Sequence, residues 1–159
     1  MEGQGEESKI HFMKRAIELS RHAVKVGDGA PFGCVIVKDN QIIGEGWNHT
    51  KSQYDPTAHG EIDAIRNACR AMKTLSLEGT EIYCSCEPCL MCAAAIHIIG
   101  ASKVYYAVSK SVVYSILGQP LKTIEEDLKN PTDQRKIPAQ SLLSGEAQKV
   151  VEEWHQGKQ

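Results

Sequence analysis

Four of the chain's six cysteines fall within nine residues, in the segment CSCEPCLMC from Cys84 to Cys92. Such a cluster constrains the fold, because these sulfurs must serve as disulfide staples, as a redox dithiol or as thiolate ligands of a metal. A chain of 159 residues can bury a core without cross-links. Apolar residues at 42% and charged residues at 24% are ordinary for a globular protein. The stability of the fold therefore does not require disulfide bonds.

The cellular setting and the ligand class follow from charge and hydropathy. The amino-terminal MEGQGEESKI shows no basic segment followed by an apolar run, so no secretory signal is evident. The apolar stretch from Ala93 to Ala101 is too short to cross a bilayer. We predict a cytoplasmic protein without a membrane partner, where clustered cysteines more often bind metals than form disulfides. The formal net charge of −2 favours a small ligand over a polynucleotide.

Hydrophobic periodicity indicates alternating helices and strands after an amino-terminal β-hairpin. The predicted class is α/β, with helices packed on a mixed sheet. Residues 119–159 are polar and interrupted by prolines, and only a last helix from Gly145 to Trp154 is predicted there. The other predicted elements are a helix over 8–26, a hairpin of strands 32–37 and 41–48, a helix over 58–72, a strand over 81–85, a helix from about 89 and a strand over 103–108.

The proline inside the cysteine cluster indicates which sulfurs bind a metal. Pro88 is best tolerated at a helix start, so Cys89 and Cys92 are predicted in the first helical turn, on one side of the helix. The partial positive charge at a helix amino terminus also favours the thiolate form. Cys86 lies before the proline, and we favour Cys89 and Cys92 as the ligand pair.

The segment DPTAHGEIDAI supplies a histidine and a glutamate at a second predicted helix start. His59 and Glu61 are two residues apart, roughly 200° around a helix, and would diverge in its middle. In the first turn, both can reach a metal beyond the helix end. His59 is therefore the predicted third zinc ligand, and Glu61 is a nearby acid that does not bind the metal.

This combination, H-x-E followed by P-C-x-x-C, is a known signature of zinc nucleobase deaminases. The segments PFGCVIV, IIGEGWN, DPTAHGEI and CEPCLMCAAAI resemble the cytidine-deaminase-like superfamily, in particular guanine deaminases and tRNA adenosine deaminases. The resemblance covers about residues 10–108. It implies a three-layer α/β/α fold with a mixed central sheet, and one zinc deaminase domain over 1–159 whose extension, residues 119–159, covers the active site.

The residues themselves imply a hydrolytic mechanism. Three protein ligands leave the fourth position of one zinc ion per subunit open for water or hydroxide, and zinc lowers the pKa of that water toward about 7. Glu61 is the predicted catalytic residue, which takes a proton from water and later delivers protons to the ring nitrogen and the departing ammonia. The resemblance further implies that Asn48 binds substrate and that Phe32 forms an apolar wall of the base pocket; the alternatives are a turn residue at Asn48 and a core aromatic at Phe32.

The substrate is less sharply defined than the reaction. Similarity to guanine deaminases favours guanine, converted to xanthine and ammonia, with cytosine deaminase and tRNA-specific adenosine deaminase as alternatives. Two departures from guanine deaminases concern the pocket: Ile98 replaces a tryptophan, and SKSVVYS from Ser109 replaces a segment that carries an aspartate. The resemblance also implies a homodimer, in which Trp154 or His155 of one chain closes the partner's site; the alternative is a terminal helix that packs on its own domain.

The sequence leaves two other classes of protein open. Cys86 could join His59, Cys89 and Cys92 in a closed structural zinc module, although Glu61 would then have no purpose. A thioredoxin-like redox pair is also conceivable, but the order of strands and helices around C-x-x-C differs from that fold.

Overall fold

The structure is a computed structural model that describes residues 2–118 and 123–157. Its contacts divide the chain into two units, Met1–Leu121 and Lys122–Gln159. The first unit holds all four strands of the sheet. Its elements are α1 (Glu2–Lys25), β1 (Gly33–Lys38), β2 (Gln41–Trp47), α2 (Gly60–Met72), β3 (Glu81–Cys86), α3 (Leu90–Ile98), β4 (Lys103–Val108) and α4 (Lys110–Leu117).

The four strands form a mixed sheet in the order β2-β1-β3-β4. Strand β1 is antiparallel to both β2 and β3, whereas β3 and β4 are parallel. The parallel pair is joined through α3, because a parallel connection needs a crossover segment. This arrangement confirms the predicted hairpin and the mixed sheet.

Side chains alternate across the sheet and build two cores, one on each face. Ile36 and Ile82 face α2 and α3, where they pack in one cluster with Ala64 and Ile96. On the opposite face, the strand residues Val35, Val37 and Tyr83 pack with Phe12, Ala16 and Leu19 of α1. Helices therefore cover both faces, and the predicted three-layer α/β/α architecture is confirmed.

Two glycines of β2 allow the helix α2 to lie close to the sheet. A Cβ added at Gly44 would lie 2.6 Å from Cβ of Ala68, and one added at Gly46 would collide with the backbone nitrogen of Ala64. Since α2 begins directly after His59, this close packing fixes the height of that histidine relative to β2.

The helix starts differ from the predictions by one or two residues, and the difference concerns the candidate ligands. Helix α2 begins at Gly60 with His59 as its N-cap, and α3 begins at Leu90 with Cys89 as its N-cap. Both cap residues have extended backbone angles. At the first helix the predicted start at residue 8 was wrong, because α1 already begins at Glu2.

The second unit contains α5 (Thr123–Asp127), a 3₁₀ helix (Thr132–Gln134) and α6 (Ser144–Gln156). Helix α6 includes the predicted last helix, together with Trp154 and His155. The predictions of a single domain and of an extension over the active site stay predictions. Throughout residues 2–118 and 123–157, no helix has the length and apolar character needed to span a membrane.

Candidate active site

Three predicted metal ligands meet at the starts of α2 and α3. His59 Nδ1 lies 3.6 Å from Cys89 Sγ and 3.5 Å from Cys92 Sγ. The ligand atoms of the three residues all lie within 4.8 Å of one another. Cys92 is fully buried, whereas His59 and Cys89 are partly exposed, so the group faces outward from the core.

The donor set and its spacing fit a zinc ion. With zinc–nitrogen and zinc–sulfur bonds of about 2.0 and 2.3 Å at a tetrahedral angle, nitrogen and sulfur ligands stand roughly 3.5 Å apart. The two observed distances, 3.6 and 3.5 Å, agree with that separation. A set of one imidazole and two thiols also matches the ligand types that zinc prefers.

The electrostatics of the two thiols indicate a site that attracts a cation. The hydrogen bond from Cys92 lowers the pKa of Cys89 to about 4, and the neighbouring imidazole acts in the same direction. The same bond and burial raise the pKa of Cys92. The hydrogen bond with Cys89 raises the pKa of His59. A bound divalent cation would replace the shared proton, because the metal ligand is the thiolate.

Glu61 lies next to this group, two residues after His59 in the first turn of α2. Its side chain is 92% removed from solvent, with only 8% exposed, yet it lines the pocket described below. Burial raises the pKa of Glu61, which favours the protonated form relative to an exposed carboxyl. A buried carboxyl with a raised pKa is suited to exchanging protons with a bound substrate.

A pocket of about 290 Å³ opens at the candidate metal centre. This volume lies near the lower limit for small-molecule sites and suits a flat heterocycle. The predicted residues Phe32, Asn48, His59, Glu61 and Cys89 all contribute to its wall. The remaining lining residues are Ala30, Thr50, Cys86, Glu87, Lys110, Val113, Tyr114 and Leu117.

The side chain of Asn48 is held in one orientation by three internal hydrogen bonds. Its Oδ1 accepts from the backbone nitrogen of Ala30 at 3.1 Å, and from the backbone nitrogen and hydroxyl of Thr50 at 3.2 and 2.8 Å. Two of these donors are backbone N–H groups, which identify Oδ1 as the oxygen. The acceptor of this amide is therefore engaged within the protein. Its Nδ2 is the group available as a donor.

Helix α4 forms a pocket wall that the sequence patterns did not predict. Lys110, Val113, Tyr114 and Leu117 all line the pocket from this helix. Ser109 is its N-cap, and the Ser109 hydroxyl accepts from the backbone nitrogen of Val112 at 3.4 Å. A serine before an apolar run is a signal that could have revealed this helix. The segment that departs from guanine deaminases therefore faces the candidate site.

Glu87 connects the start of α4 by hydrogen bonds to the turn that precedes Cys89. Its Oε2 accepts from the backbone nitrogen of Lys110 at 3.1 Å, and its own backbone nitrogen donates to Val108. Cys86, the alternative ligand, lies apart from the metal group and its Sγ donates to the Glu87 carbonyl at 3.5 Å. Burial raises the pKa of Cys86 to about 11, so its thiol form is favoured. All six cysteines are free thiols.

The fold and the site are those of a zinc-dependent deaminase. The fold is a mixed sheet between helices, and the site combines a histidine and two cysteines at two helix starts with an adjacent buried glutamate. Residues 6–108 match the family model of the cytidine and deoxycytidylate deaminase zinc-binding region. The chain belongs to this family, which comprises hydrolytic deaminases.

Individual relatives agree with this assignment. The chain is 38% identical over 143 residues to the guanine deaminase of Bacillus subtilis, covering 90% of this chain and 91% of that protein. The solved structure of guanine deaminase from Bacillus subtilis superimposes with a TM-score of 0.85 at 37% identity, covering 92% of each chain. The tRNA-specific adenosine deaminase of Aquifex aeolicus is 38% identical over 118 residues, covering 70% of this chain and 78% of that protein.

Proposed function

We propose that this protein hydrolyses guanine to xanthine and ammonia at the site formed by His59, Cys89, Cys92 and Glu61. The observation that carries the proposal is the similarity to guanine deaminase over 90% of this chain, combined with the metal group that opens into the pocket. Similarity to the tRNA-specific relative covers 70% of the chain. The fuller coverage and the net charge of −2 favour the free base over RNA.

The proposed roles follow from the chemistry of each group. Bound zinc would polarise water and supply a nucleophile at neutral pH. Glu61 accepts a proton from the attacking water and returns protons to the ring nitrogen and the departing amine, so that guanine and water yield xanthine and ammonia. Its burial beside the pocket keeps the proton away from bulk solvent.

Asn48 and Phe32 are proposed to hold the base. Because Oδ1 of Asn48 is engaged by Ala30 and Thr50, the side chain presents Nδ2 as a donor. Such a donor recognises a carbonyl oxygen or an unprotonated ring nitrogen, both of which guanine carries. Phe32 is partly buried in the same pocket and contributes apolar surface to the base.

We also propose a cytoplasmic homodimer. Ile98 is 83% exposed and Ile116 is 77% exposed, and contact with a second copy would remove this apolar surface from water. A second copy is the occupant that the family resemblance implies. Light scattering of the purified protein tests this part: the mass of a monomer at micromolar concentration would contradict it.

The substrate is tested by an ammonia-release assay of the zinc-loaded protein. The panel contains guanine, cytosine, adenine, their nucleosides, isoguanine, pterins, aminotriazines and a tRNA anticodon stem-loop. We expect guanine to give the highest kcat/KM. A higher value for another base would replace guanine as the substrate, and a preference for the stem-loop over every free base would replace the substrate class.

A further inference from the structure

Next to the pocket, the imidazole of His49 lies between two carboxylates. His49 Nδ1 lies 3.2 Å from Asp28 Oδ2, and His49 Nε2 lies 3.2 Å from Asp63 Oδ2. These three side chains are only 15 to 22% exposed. We call this group, together with Trp47, the histidine clamp.

Trp47 donates hydrogen bonds to the same two carboxylate oxygens that His49 contacts. Its indole Nε1 donates to Asp28 Oδ2 at 2.7 Å, and its backbone nitrogen donates to Asp63 Oδ2 at 3.3 Å. Each carboxylate oxygen is thus shared between Trp47 and His49. The indole bond is the main cause of the lowered pKa of Asp28, so this carboxyl acts as an ionised acceptor. The two rings also pack together, with centroids 4.9 Å apart.

The clamp joins three separate segments of the first unit. Asp28 follows α1, Trp47 and His49 flank the end of β2, and Asp63 lies in the first turn of α2. The backbone carbonyl of Asp28 also accepts from the nitrogens of Lys51 and Ser52 at 3.0 Å each. The loop after β2 is therefore bound to the loop after α1 at several points.

Asn48 is the residue enclosed by these contacts. It stands between Trp47 and His49, and its Oδ1 accepts from Ala30, two residues beyond Asp28. At the other end of the clamp, Asp63 is two residues beyond Glu61 on the same helix turn. The clamp thus spans from the loop that orients Asn48 to the helix that carries Glu61, although His49 is not among the residues lining the pocket.

We propose that His49 is a positioning residue, which holds the Asn48 amide at a set distance from Glu61 by bridging Asp28 and Asp63. The inference rests on the proposed deamination, because it concerns the placement of a base between those two groups. An imidazole ring suits the task when both of its nitrogens carry a proton, because they lie on opposite sides of a rigid ring and each then donates to one carboxylate. A small displacement of a positioned group suffices to reduce turnover strongly.

The test compares His49→Gln with wild type in the zinc-loaded full chain, on the base of the panel that is turned over fastest. A glutamine amide carries both of its N–H donors on one nitrogen, so it cannot place a donor on each side of a rigid ring as the imidazole does. We expect KM to rise about tenfold with a smaller change in kcat, at unchanged zinc stoichiometry. Asp28→Asn weakens one arm of the clamp with little change of shape and is expected to act in the same direction. His97→Gln, an exposed histidine of α3, is the matched control and should leave both constants unchanged.

A double-mutant cycle with Asn48→Ser separates positioning from general stability. If His49 acts through Asn48, adding His49→Gln to Asn48→Ser should lower kcat/KM by less than about twofold. An equal loss in both backgrounds, or a loss of zinc, would overturn the proposal. Since the cycle uses whichever base is turned over, a preference for a base other than guanine would refute the proposed substrate and leave this inference standing.

Discussion

Cys89 Sγ lies 3.6 Å from His59 Nδ1, although 30 residues separate the two along the chain. Both residues are N-caps, of α3 and α2 respectively, and neither side chain caps its own helix. An N-cap side chain usually binds the free backbone N–H groups of the first turn. Here the two cap side chains turn toward each other, which leaves them available for a metal.

The first prediction concerns the metal ligands. Cys89→Ser, Cys92→Ser and His59→Ala should each lose bound zinc and activity, because each removes one of three protein donors. Cys86→Ser should keep about one zinc per chain, since Cys86 lies outside the metal group. Atomic absorption on protein purified without added zinc measures the stoichiometry. Zinc loss in Cys86→Ser would support the closed structural module instead.

The second prediction separates chemistry from metal binding. Glu61→Gln should retain zinc but reduce kcat by about 10² to 10⁴, because the amide cannot transfer the proton. Ammonia release measures kcat, and metal analysis confirms the loaded state. Glu7→Gln, an exposed position on α1, is the control and should behave as wild type. Activity within a few fold of wild type would remove Glu61 from the mechanism.

The third prediction tests the orientation of Asn48. A Cβ added at Gly29 would collide with Oδ1 of Asn48 and lie 2.9 Å from its backbone oxygen. Gly29→Ala should therefore displace the amide and raise KM about tenfold, with zinc retained. Gly145→Ala is the matched control, because nothing lies within 4 Å of a Cβ at that position. An unchanged KM in Gly29→Ala would argue against substrate binding by Asn48.

The fourth prediction concerns stability without the metal. Zinc binds residues at the starts of two helices, so it stabilises the folded chain by mass action. At a free zinc concentration of about 1,000 times Kd, this contribution is about 4 kcal/mol. Removal with a chelator should lower Tm by roughly 10 °C for a chain of this size. Differential scanning calorimetry measures the shift, and added zinc, but not magnesium, should reverse it.

Local sequence patterns predicted both the sheet and the metal ligands, because each leaves a signal within a short stretch of the chain. Alternation of apolar residues marks a strand wherever it lies, and proline before C-x-x-C marks a helix start without knowledge of the partner. His59, Cys89 and Cys92 could be selected because zinc demands particular donor types, and helix starts are among the few places that can hold them. The helix boundaries were less exact, since an N-cap residue differs from the first helical residue only in its backbone angles.

The amino-acid sequence by itself was enough to predict the α/β class, the candidate zinc ligands and the glutamate beside them, because each depends on periodicity or on spacing within a short segment. Only the tertiary structure decided that α4 forms a pocket wall, that Asn48 presents its donor rather than its acceptor, and that His49 bridges Asp28 and Asp63. Those features depend on contacts between segments far apart in the chain, such as Glu87 with Lys110 and His49 with Asp28, and no local pattern encodes such contacts.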